Sequence, residues 1–360
     1  MTHQSVAHDT AGPAPTPLAR PTLLPGLRRL WRGRHRLQLG LDPSRAVVLD
    51  LPTPGTARVL DLLDGTRSER RVVADARRYG ISERDAQAMI DNLRATGLVV
   101  GAHALLPHTF PDAVRRRLRA EAASLALRGT DAPATPAQIL RRRASARIMI
   151  NGGGRLVTAT GVALAEAGIG HVSPAWDRPA EAREVAAAIS RHAPGTRTSP
   201  LPRREATFVL EGGTAGPASL TAARYIRLPH LAVTIRDGTA VIGPLVPPRG
   251  TPCLNCLDLH RLDRDPDWAD LVPQLAAPPD LEPCATATLL TASGIAAGEV
   301  LSWLDGTTPS TLGGCVEITG GGQLRRRRWP PHPRCDCARR AHRRAPVRSP
   351  EPEAAVRPVT

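Results

Sequence analysis

Two short thiol pairs constrain this chain more than any other feature. They are Thr251-Pro252-Cys253-Leu254-Asn255-Cys256-Leu257-Asp258 and, far along, Arg334-Cys335-Asp336-Cys337. Any fold must account for both. Zinc takes four soft ligands in a tetrahedron, and two short loops can each supply two. Cys253, Cys256, Cys335 and Cys337 are therefore the expected ligands of a structural zinc ion (Zn2+). A disulfide or buried free thiols are the alternatives. A closed four-sulfur site does no chemistry and would clip the C-terminal segment onto its domain. Six cysteines and no secretory apolar segment fit a reducing compartment, so a cytoplasmic protein is expected.

The 360 residues suffice for two domains, and no apolar run is long enough to imply a membrane span. The formal net charge of +15 invites a nucleic-acid reading. Arginine supplies all 48 basic residues, without one lysine, which points to biased coding composition. Much of the excess sits in 325–328 and 339–348. A solvated basic tail over 339–360 is one reading; a patch for an acidic partner is the other.

Residues 1–20 are rich in Pro, Ala and Thr and are expected to be disordered. The stretches 36–41 and 46–51 alternate like strands around Asp42-Pro43-Ser44-Arg45, a type I turn sequence, and predict a hairpin. Helical spacing follows in Val59, Leu60, Leu62 and Leu63. A second helix is predicted over 68–79. A third opens on Ser82-x-x-Asp85, an acidic capping box, carries Ala86, Met89, Ile90 and Leu93, and ends at Gly97. Leu98-Val99-Val100 reads as a strand. Together these make a small winged-helix-like module.

Within it, Leu63-Asp64-Gly65-Thr66 and the run from Asp91 to Val99 resemble PqqD-like peptide-binding domains, recognition elements of ribosomal peptide maturation. The resemblance covers about 20–105. It implies a leader peptide added as a strand beside Val47, Val48, Leu49 and Asp50, and Arg84, Arg94 and the net charge point to an acidic one. The third helix would close the groove with Arg84, Met89 and Leu93. Of the pairs Met89/Leu93 and Ala86/Ile90, one would face the core and the other the groove; both in the core is the alternative. A DNA-binding winged helix fits less well, because helix 82–96 sets Arg84 and Arg94 against Glu83, Asp85 and Asp91.

Residues 106–145 read as a linker with a helix over 111–127. The domain expected at 146–338 opens with strand Arg147-Ile148-Met149-Ile150, turn Asn151-Gly152-Gly153-Gly154-Arg155 and a helix to Gly168. A second strand and Asp177 follow. In a dinucleotide fold this order puts phosphate at the helix N terminus and a carboxylate near the ribose. Gly152, Gly154 and Asp177 are therefore the candidate nucleotide-binding residues. Val157 replaces the third glycine, and tight turns use glycine without any ligand.

With strand Phe208-Val209-Leu210 and the two thiol pairs, this order resembles the ThiF superfamily, which adenylates sulfur-carrier and ubiquitin-like proteins. His230-Leu231-Ala232-Val233, Gly243-Pro244-Leu245-Val246 and Cys253 to Arg261 resemble a narrower branch: ThiF-like partner proteins of azole-forming YcaO-type cyclodehydratases. The expected fold is thus α/β, a winged-helix-like α+β module followed by a Rossmann-like ThiF-type domain with a zinc clip.

What the resemblance implies is a non-catalytic protein, expected as a homodimer. It would hold a precursor leader peptide for a separate YcaO-type cyclodehydratase in thiazole/oxazole peptide biosynthesis. An active adenylyltransferase is the alternative, and a DNA-binding regulator the second. Against adenylation, the family lysine is absent. Arg178-Pro179-Ala180-Glu181 stands for Asn-x-x-Arg-Gln, and Glu211-Gly212-Gly213 for an Asp-rich segment. ATP could bind without turnover. Cys284, heading a helix over 287–304, is read as structural rather than as a thioester nucleophile. Cys315 is read as a buried strand thiol.

Overall fold

The structure is a computed structural model that describes residues 17–43, 45–128, 134–175, 178–213, 225, 227–250, 252–275 and 281–337. The chain forms two compact units, Met1–Arg141 and Arg142–Thr360.

In the first unit, β1 (Pro21–Leu23) pairs antiparallel with β5 (Val99–Gly101). β2 (Arg29–Trp31), β3 (Arg36–Leu39) and β4 (Val47–Asp50) form an antiparallel sheet in that order. Strand alternation sends Leu37, Leu39 and Leu49 into the core. A 3-10 turn at Pro54–Arg58 leads into α1 (Val59–Leu62), followed by α2 (Glu69–Ala76) and α3 (Glu83–Ala95). Serines start both longer helices: Ser68 Oγ accepts from Arg71 N, and Ser82 Oγ accepts from Asp85 N while donating to Asp85 Oδ2.

α4 (Ala102–Leu105), α5 (Asp112–Arg117) and α6 (Arg119–Ala126) complete this unit with the first part of α7 (Pro136–Ser145). The single helix expected over 111–127 is two helices broken at Leu118, where ψ is 3°. α5 buries nothing, whereas Leu118, Ala122 and Leu125 enter the core, so the chain bends where its apolar face begins. The stretch read as a linker therefore contributes to the core of the first unit.

The second unit runs β6 (Arg147–Asn151), α8 (Arg155–Glu166), β7 (His171–Pro174), α9 (Pro179–His192), β8 (Phe208–Gly212), β9 (His230–Arg236) and β10 (Thr239–Val246). α10 (Leu254–Leu262), α11 (Trp268–Gln274), α12 (Thr286–Asp305), β11 (Gly314–Ile318) and β12 (Leu324–Arg328) follow. The seven strands form one mixed sheet ordered β12-β11-β10-β9-β8-β6-β7, parallel from β9 to β7 and antiparallel elsewhere. Ile148, Ile150, Phe208, Leu210 and Leu231 pack on one face against Leu164 of α8 and Leu289, Ala296 and Val300 of α12. Met149 and Val209 bury the other face with Leu201, Ala206 and Tyr225. Strands covered on both sides read as continuous apolar runs. α12 is apolar and long enough to cross a membrane, and it lays its buried residues on this sheet.

One ion pair ties the start of this unit to the end of α12. Arg143, fully buried, donates from Nε and Nη2 to the two oxygens of Asp305 at 2.8 and 2.6 Å, and from Nη1 to Ala167 O at 3.1 Å. Removing one partner strands a buried charge. Asp305→Ala is expected to destabilise the protein by about 3–5 kcal/mol, read by urea unfolding.

Candidate functional site

The thiol pairs meet. Cys253 caps α10 and Cys256 lies in its first turn, a spacing that puts both sulfurs on one side. Cys335 and Cys337 arrive on the loop after β12. The S···S separations are 4.0 Å for Cys253–Cys256, 3.7 Å for Cys253–Cys335 and 3.2 Å for Cys256–Cys337. All four sulfurs are buried and lie within 4.8 Å of one another. A disulfide would bring sulfurs to about 2.05 Å, so these are free thiols. A tetrahedron of metal–sulfur bonds near 2.3 Å has edges of roughly 3.8 Å, and the cluster could hold such an ion. Asn255 Nδ2 donates to Cys335 Sγ at 3.4 Å, the kind of outer contact that orients a ligand. The hydrogen bond between Cys253 and Cys256 pushes the first thiol up and pulls the second down: one proton serves two sulfurs.

A polar latch fastens the same loop. His332 is buried; its Nδ1 accepts from Arg334 N at 3.1 Å, so its Nε2 carries the proton donated to Asp263 Oδ2 at 2.7 Å. The Arg334 guanidinium holds the other Asp263 oxygen. His260 Nε2 donates to Pro330 O at 2.9 Å and its ring meets His332 edge-on. The sequence reading did not anticipate this latch. Its only linear signal is Pro331-His332-Pro333 beside the C-x-C pair.

The glycine turn is built for packing. Gly152 has φ +99°, and a Cβ there would collide with the Gly212 carbonyl at the end of β8. A Cβ on Gly212 would collide in turn with Val157. The valine in place of the third glycine is thus accommodated by a glycine on the facing strand. Gly154, at φ +98°, caps α8, and Glu282 lies over it with a carboxylate oxygen 3.2 Å from the Cβ position. Burial pushes the Glu282 carboxyl up, and Arg155 opposes that shift. Arg155 also donates to Cys284 O and Thr286 Oγ1, both at 3.4 Å. Glu211 accepts from Asn151 Nδ2 with both oxygens, at 3.1 and 2.9 Å. Burial pushes the Cys284 thiol up, away from a reactive thiolate. Asp177 lies outside the described residues. Gly212→Ala is expected to lower stability by about 1–3 kcal/mol in urea unfolding, and Val157→Ala in the same chain to restore part of the loss.

In the first unit, β4 pairs only with β3 among the described residues. The ladder alternates. Gly40 N donates to Arg28 O and Arg32 N to Arg36 O toward β2, whereas Leu51 N donates to His35 O toward β3. Residues 47 and 49 therefore face β3, and the N–H and C=O groups of Val48 and Asp50 project from the open edge. Val47 and Val48 are half-buried, Leu49 is buried, and exposed Asp50 pairs with Arg36 at 3.2 Å. On α3 the expected division is corrected: Ala86, Met89, Ile90 and Leu93 are all in the core. Gln87 and Arg94 reach Glu69 of α2. Arg84, Ala88, Asn92 and Ala95 form the exposed stripe.

The chain shares the fold of E. coli MccB. With MccB solved with ATP, the TM-score is 0.57 at 13% identity, over 88% of this chain and 99% of that one. The complex of MccB, a microcin C7 biosynthetic enzyme, with N-formylated MccA gives the same figures. The heterocyclase TruD gives 0.58 at 16% identity, over 88% of this chain and 42% of that one. No protein-family model and no curated protein matches. The likeness is one of fold, and it supports the α/β architecture expected for the second domain.

Proposed function

We propose that this chain recruits a precursor peptide for modification by another enzyme. The first unit would take the leader as an added strand on β4, with main-chain bonds to Val48 and Asp50 giving affinity and the Arg84–Asn92 stripe of α3 giving specificity. The observation that carries this reading is the open β4 edge, with its outward peptide groups, in a chain that shares its fold with MccB, solved in complex with a peptide. The resemblance to partner proteins of azole-forming enzymes names a YcaO-type cyclodehydratase as the recipient. The second unit would be a scaffold, closed by zinc at Cys253, Cys256, Cys335 and Cys337, whose all-thiolate set suits that ion.

Two features support a nucleotide site that no longer turns over. Glu282 lies where an anion would meet the α8 N terminus, and Glu211 is engaged by Asn151. The chain also has no lysine to meet a phosphate. Pyrophosphate exchange with ATP and candidate peptides is expected to stay at background; robust exchange would establish the adenylyltransferase alternative instead.

Fluorescence polarisation with leaders of precursor peptides encoded beside this gene tests the main reading. A leader should bind well above its scrambled form, and Val48→Pro should weaken it about tenfold or more by deleting an edge donor. Equal binding of leader and scramble would refute recruitment. Elemental analysis should return about one zinc per chain, lost in the Cys253→Ser/Cys256→Ser protein.

A further inference from the structure

The seven-stranded sheet has two ends. Beyond β7 the edge is taken, because Val172 N donates to Arg197 O and Arg197 N donates to Gly170 O. Beyond β12 no described strand pairs. The ladder sets which groups are open. Thr319 N donates to Gln323 O and Trp329 N to Gly313 O, so residues 325 and 327 face β11. The peptide groups of Leu324, Arg326 and Arg328 therefore point outward. The side chains of those three share one face, in register with Ile318, Val316 and Gly314. Leu324 is 59% exposed, and Arg326 and Arg328 are exposed. Arg327 is held by Glu317 at 2.9 Å, while Arg325, Arg326 and Arg328 have no partner among the described residues.

We infer that β12 is a second strand-docking edge and that its partner is an extended polypeptide segment with acidic residues at alternate positions. The partner must supply both main-chain donors and acceptors, because the edge offers both. That favours a peptide over RNA, whose phosphates would meet the outward carbonyls unfavourably. A second copy of the chain is disfavoured, since two β12 strands side by side would oppose arginine to arginine. An acidic strand would place carboxylates against Arg326 and Arg328 and an apolar side chain against Leu324. A charged edge can also act simply to repel other strands, and the test separates the two. This inference goes beyond leader binding at β4 and does not require it.

The experiment uses the full chain and a fluorescein-labelled peptide alternating Thr and Glu, read by anisotropy. The controls are the same peptide with Lys for Glu, the same peptide with alternate amides N-methylated, and an oligouridylate of equal length. The Glu peptide should bind about tenfold more tightly than the Lys peptide. N-methylation should remove most of that affinity. Arg326→Glu/Arg328→Glu should abolish the preference for Glu, with Arg326→Ser/Arg328→Ser as the milder variant. Val48→Pro should leave binding unchanged, which keeps the β4 edge separate. Equal binding of the methylated peptide or tighter binding of oligouridylate would overturn the proposal. So would self-association of the Arg326→Glu/Arg328→Glu protein, which would make the arginines a guard against pairing.

Discussion

Peptide groups must be paired or solvated, and the ladder of β3 decides which remain open in the first unit. Its even-numbered residues bond to β2 and its odd-numbered ones to β4. A one-residue shift would turn Leu37 and Leu39 away from the core, so the apolar pattern locks this register. Once it is locked, Val48 and Asp50 have no choice but to present their peptide groups at the edge. The proposed function rests on that consequence rather than on any catalytic constellation.

In the second unit the groups around the glycine turn pack on and bond to one another. Gly152 is needed for close packing on Gly212, and Gly212 makes room for Val157. Asn151 and Glu211 satisfy each other, and Glu282 with Arg155 fastens the head of α12 over the start of α8. These contacts hold the β6–α8 turn, the end of β8 and the head of α12 together. The four thiols and the His332–Asp263–Arg334 latch then fix the loop after β12 to α10. A metal ion in that cluster would add to a junction already held by hydrogen bonds.

Local signals were legible in the sequence. The hairpin of β3 and β4, the capping serines of α2 and α3, the β6–α8–β7 entry and the thiol pairs all arise from short spacings and their turn residues. β1 and β2, at three residues each, are too short to show alternation. The break at Leu118 depends on what the helix packs against, which the helical period does not record. The groove side of α3 was misjudged for a related reason. Ala86, Met89, Ile90 and Leu93 form one apolar stripe, and a stripe of that width is buried whole. The face left open is the one without large apolar residues. His332 with Asp263, and Glu282 with Gly154, are distant in sequence and carry no local pattern at all.

Amide-resolved hydrogen exchange of the full chain, with and without a leader peptide, tests the central claim most directly. If the leader adds a strand to β4, the Val48 and Asp50 amides should slow strongly on binding, while those of residues 47 and 49, already bonded to β3, change little. Binding that leaves Val48 and Asp50 unprotected, with protection appearing instead over 152–157, would contradict the account and return the chain to nucleotide-site chemistry.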